Sequence, residues 1–144
     1  MRTVLLLFVF SIAAKAQSMT IKDYREMKTR LTRCKSDPRC SANPDFSTAN
    51  SAFGTYLQGM GDGFFWVNGD LKAHGKQLLY CQPEKLTLGV DNYAQVLESY
   101  LPTLEKNIKS SSQKGWKTVD DVPLGFALLQ ALQDAFPCQG APAK

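Results

Sequence analysis

Apolar residues recur at helical spacing along most of this chain, and no stretch alternates by twos as a strand would. Over residues 19–33, Ile21, Tyr24, Met27 and Leu31 form one apolar stripe with basic residues opposite. Thr20 is placed to cap this helix, with Asp23 three residues on in a capping-box position. The longest pattern covers residues 48–73, where Phe53, Tyr56, Leu57, Met60, Phe64, Val67 and Leu71 keep a spacing of three or four. Phe65 and Trp66 lie off that stripe, so this helix is apolar on more than one side and is expected at the centre of a bundle. Gly54, Gly59, Gly61 and Gly63 weaken it by about 1 kcal/mol each relative to alanine. Glycine in a buried helix usually admits a close neighbour, and these glycines leave room for a kink or break near Gly61. A third pattern runs from Leu88, capped by Thr87, to Lys106, with Pro102 expected to break or bend it one turn early. The last helix follows Asp120, Asp121, Val122 and Pro123, with acids at its positive end. Its face is Leu124, Ala127, Leu128, Ala131, Leu132, Ala135 and Phe136. The expected fold is all-α, a small disulfide-stapled bundle of four main helices.

The connections are distinct in composition. Residues 34–47 carry Pro38 and Pro44 and read as turns. Residues 107–122 are polar and lysine-rich around Trp116. An exposed tryptophan between Lys114 and Lys117 suits a contact surface. The bland alternative, Trp116 folding back onto the core, carries equal weight.

The first residues change the picture of location. Arg2, the apolar run Val4–Phe10 extended by Ile12, and Ala14-Lys15-Ala16 have the order of a secretory signal, so cleavage is expected after Ala16. The apolar run is too short for a span of ~20 residues, and no membrane attachment is expected after cleavage. Residues 1–16 are thus read as a cleaved signal, 17–47 as a basic helix with a cysteine loop, 48–139 as the main helical domain and 140–144 as a tail. Loss of Arg2 and Lys15, with no acid, lowers the formal net charge from +4 to +2. What remains is uneven: residues 17–40 hold seven Lys/Arg against Asp23, Glu26 and Asp37. Such a head could steer an acidic partner, although a solvated helix face is the commoner meaning. Export and modest charge disfavour nucleic acid.

All four cysteines, Cys34, Cys40, Cys81 and Cys138, follow the signal, and an even count in an exported chain reads as disulfides. Three pairings are open. The favoured one joins the neighbours Cys34 and Cys40, and joins Cys81 to Cys138 around a helical pair. In the chain-entropy model the longer loop is worth roughly 4 kcal/mol and the shorter roughly 2. With no C-x-x-C and a single histidine, a zinc site is disfavoured.

No catalytic signature stands out, and the chain is read as a non-enzyme without cofactor. Gly59-Met60-Gly61-Asp62-Gly63 lacks the preceding strand and the following Lys-Ser/Thr of a phosphate loop. His74 lacks a recognisable nucleophile and orienting partner.

Tyr56-Leu57-x-Gly59-x-x-Asp62, Cys81-x-Pro83-x-x-Leu86-Thr87, Tyr100-Leu101 and Ala131-Leu132-x-x-Ala135-Phe136-Pro137-Cys138 stand in this order. Together they resemble the Tai/Rap immunity proteins of type VI secretion over about residues 52–138. Members of that family are small helical periplasmic proteins, typically dimeric. They block an amidase that cuts peptidoglycan peptides, and a loop between helices can plug its cleft. The resemblance therefore implies a periplasmic protein whose partner is a secreted cell-wall amidase, with a homodimer admitted. It places Cys81 and Cys138 at the family's disulfide. The contact residues expected here are Lys114, Trp116 and Lys117, with Asp120 and Asp121 at the adjoining helix start. The connection is longer than the family's, and the Cys34–Cys40 head is additional. A periplasmic chaperone or adaptor is the alternative, with a small hydrolase or ligand carrier behind it.

Overall fold

The computed structural model describes residues 18–110 and 115–138. The expected signal at 1–16, the tail at 140–144 and Lys114 lie outside them. The described chain is an all-α bundle stapled by two disulfides, with helices α1 (Ile21–Ser36), α2 (Pro38–Ser41), α3 (Pro44–Ala73), α4 (Val90–Ser110) and α5 (Leu124–Ala135). A short 3-10 helix, Val119–Asp121, precedes α5.

The start of α1 is set by the expected capping box. The Thr20 hydroxyl accepts from the Asp23 backbone N–H, and the Asp23 carboxylate accepts from the Thr20 N–H at 2.8 Å. Residues 34–47 are more helical than their prolines suggested. Pro38 and Pro44 occupy first-turn positions, where a missing N–H costs nothing, so they open α2 and α3. Helix α4 begins at Val90, two residues later than expected, and continues through Pro102 to Ser110. Its other positions bury Tyr93, Leu97, Tyr100, Leu101 and Leu104. Burial at ~1.5–3 kcal/mol per large side chain outweighs the ~3 kcal/mol proline penalty. Asp120 and Asp121 belong to the 3-10 helix and not to α5, whose N-cap is Pro123.

The core forms where α4 meets α5, their most extensive helix–helix contact, with Leu97, Leu124, Leu128 and Leu132 fully buried. Helix α1 shares that core through Ile21 and Tyr24. Two backbone hydrogen bonds tie the head to the entry of α5, from Ile21 N–H to the Val122 carbonyl at 2.9 Å and from Leu124 N–H to the Met19 carbonyl at 2.8 Å. Cys34 pairs with Cys40 and Cys81 with Cys138, their Cα atoms 5.0 and 4.9 Å apart. Beside the second bridge, Cys81 N–H donates to the Phe136 carbonyl at 2.8 Å. The chain thus returns after α5 to the point it left before α4.

Helix α3 departs furthest from expectation. It is one unbroken helix, with no interruption at Gly61, and it is not central. Only Leu57 and Gly61 are buried along its thirty residues. Among the described glycines, Gly61 is the one whose missing side chain a neighbour requires: a Cβ there would clash with the Tyr93 ring. Beside Gly59 and Gly63 there is open space.

Candidate interaction surface

The segment between α4 and α5 is engaged with its own bundle. Trp116 is half-buried and packs on Phe126 of α5, ring centroids 4.8 Å apart. The Asp120 carboxylate accepts from Arg25 at 2.8 Å. Asp121 accepts from the backbone and hydroxyl of Thr118, at 3.1 and 3.0 Å, closing the 3-10 helix. Lys117 is exposed. Of the four expected contact residues that the structure describes, two hold internal bonds and one packs on α5. The outer side of Trp116, Phe126 at 40 % exposure and Lys117 remain open to a partner.

A broader surface lies on α3. Ala52, Tyr56, Gly59, Gly63 and Trp66 recur at three- and four-residue steps and, with the adjacent Val67, are all exposed. Trp66 is 72 % exposed, Phe65 beside it 52 %, Val67 47 % and Tyr56 38 %. Phe65 and Trp66 meet edge to face, with centroids 6.1 Å apart. Burying a side chain such as Phe65 is worth roughly 1.5–3 kcal/mol, and this fold leaves that gain unclaimed. Large exposed apolar patches mark contact sites on many proteins. The opposite side of α3 anchors it: Leu57 is fully buried, and Met60 packs against the first turn of α5 at Gly125.

Asn68 fixes the end of this surface. Its amide donates to the Tyr80 carbonyl at 2.8 Å and accepts from Leu79 N–H at 2.7 Å, pinning the strand-free segment after α3 to the helix. Lys72 pairs with Glu84 at 2.9 Å across the same junction. Between them lies a cavity of about 360 Å³ with Phe65, Leu78 and Leu86 in its walls. Gln82, also at this cavity, donates through Nε2 to the Leu86 carbonyl, and its Oε1 is buried without a hydrogen-bond partner. Burial pushes the Tyr80 phenol up to about 12.

No family model, curated protein or solved structure matches this chain.

Among the described residues, no group of His, Cys, Asp and Glu is placed to hold a metal ion. His74 is exposed at the end of α3, its Nδ1 2.9 Å from the Asp70 carbonyl oxygen. No described helix is long and apolar enough to cross a membrane. The arrangement offers shape and apolar contact, and the surface on α3 is what the sequence reading missed. The sequence reading placed Tyr56 and Val67 on the core stripe, whereas both are exposed beside Phe65 and Trp66.

Proposed function

We propose that this chain is a periplasmic immunity protein that binds a peptidoglycan-degrading amidase of type VI secretion and occludes its cleft. The observation that carries this reading is the unclaimed aromatic face of α3, carried on a bundle stapled by two disulfides. A surface of exposed aromatics and glycine is built for association, because little side-chain freedom is lost when a partner covers it. Paired cysteines agree with an oxidising compartment and with removal of the leader after Ala16. The partner class comes from the sequence resemblance over residues 52–138. The test is co-expression of this chain with a periplasm-directed amidase encoded beside it. Protection from lysis is expected, and is expected to fall in a Trp66→Glu/Val67→Glu variant that retains its helical content. Lysis at the same rate with and without the wild-type chain would sink the reading. A chaperone or adaptor is the second reading, favoured by the same exposed Phe65 and Trp66. It is distinguished by suppression of aggregation of unrelated unfolded clients, which an immunity protein would not provide.

A further inference from the structure

The cations of the N-terminal head fall into two sets. In the first two turns of α1, Lys22 pairs with Glu26, Arg25 with Glu105 and Asp120, and Lys28 with Glu98. Those of Arg25 and Lys28 clamp α1 to α4 and the 3-10 helix. Further along, Arg30, Arg33, Lys35 and Arg39 are exposed, and no ion pair joins any of them to a carboxylate among the described residues. Lys35 and Arg39 each neighbour a half-cystine of the Cys34–Cys40 bridge in sequence.

Arg30 and Arg33 border a groove of about 480 Å³ between α1, the disulfide loop and the start of α3. Its apolar lining includes Met27, Leu31 and Phe46. Asp37 and Asp45 stand in the same groove without pairing to the arginines. The Asp37 carboxylate is occupied, accepting from Arg39 N–H at 2.9 Å as the cap of α2. From residue 30 to residue 45 there are four cations against these two carboxylates.

We propose that this groove docks an acidic segment of a partner protein, with an apolar side chain seated between Arg30 and Arg33 and flanking carboxylates on the two guanidinium groups. Arginine suits this task, because its planar fork binds a carboxylate through two parallel hydrogen bonds. The recessed floor is the wrong shape for a lipid surface, into which apolar side chains must protrude. Nucleic acid offers no apolar side chain to the floor formed by Met27, Leu31 and Phe46. The site is separate from the outer face of α3 and does not depend on the amidase reading.

The probe is a fluorescent twelve-residue peptide of alternating Asp or Glu and Leu, titrated against the oxidised protein. Three controls accompany it: a peptide with serine replacing leucine, one with lysine replacing the acids, and vesicles rich in phosphatidylglycerol. Binding of the acidic-apolar peptide alone is expected, weakened by salt and reduced about tenfold or more by Arg30→Glu/Arg33→Glu. Those arginines make no internal ion pair, so the variant should keep its melting temperature. Phe46→Ser should weaken the same peptide without changing its salt dependence. Equal binding of the serine peptide, preference for vesicles, or an affinity indifferent to both variants would each overturn the proposal. Self-association that consumes the groove at the concentrations used, detected by sedimentation and abolished by the charge reversal, would assign it to a second copy and overturn it too.

Discussion

At Gly61 a single missing carbon decides whether α3 can reach α4. The Tyr93 ring occupies the space a Cβ would need, while Gly59 and Gly63, two residues to either side and so on the opposite face of the helix, look into open space. The three glycines therefore predict opposite outcomes. Gly61→Ala should destabilise by about 1–3 kcal/mol, because a buried ring must move. Gly59→Ala and Gly63→Ala should each stabilise by about 0.5–1 kcal/mol, since only helix propensity changes. Urea unfolding of the three variants checks this, and equal responses would contradict the placement of Tyr93. Tyr24 shows the same economy at one residue. Burial, then its hydrogen bond to Glu98 at 2.7 Å, raises its phenol well above the ordinary range, so it stays a donor at any physiological pH.

At the scale of elements, α1 is held to α4 by carboxylates. Burial pushes Glu98 up, but hydrogen bonds from Lys28 and Tyr24 outweigh it and leave the carboxyl below its usual value. The hydrogen bond from Arg25 lowers Glu105. Both carboxyls are depressed in the folded state. Their contribution is therefore complete above the ordinary carboxylate range, about 4.3, and is lost as pH falls through the lower folded values. The melting temperature should fall on acidification below about pH 5, and a Glu98→Gln/Glu105→Gln variant should start lower but fall less steeply. Identical slopes would rule out the clamp. These pairs were not legible in the sequence, because Tyr24 and Glu98 are brought together only by packing. Helix existence was legible, since Ile21, Leu57, Leu97 and Leu128 each sit on a continuous stripe. Helix limits were not: Pro44 and Pro102 read locally as breaks, yet one falls where its N–H is dispensable and the other is overruled by burial. The outer face of α3 was misread for a similar reason. Phe65 and Trp66 signal burial by composition, and only the arrangement of the other helices leaves them in water.

For the whole molecule, the two bridges stabilise different things. Cys34–Cys40 closes a short loop in the head, and Cys81–Cys138 closes the part of the chain that contains α4 and α5. Replacing both residues of the long bridge by alanine should cost roughly 4 kcal/mol, and of the short one roughly 2, in denaturant unfolding. Near-equal losses would mean that the unfolded chain is already restrained around α4 and α5. Trp116 and Lys117, the contact residues expected from the sequence, lie inside the larger loop.

The long bridge has a consequence for a protease. Any single cut between α4 and α5 falls within a covalent ring, so it opens the ring without releasing a piece. A nicked molecule would run at full mass without reductant and as two fragments with it. The α4–α5 core, still joined at Cys81 and Cys138, would keep its two halves as neighbours. A protein exposed to secreted proteases could thus lose a peptide bond in its polar connection and remain one molecule.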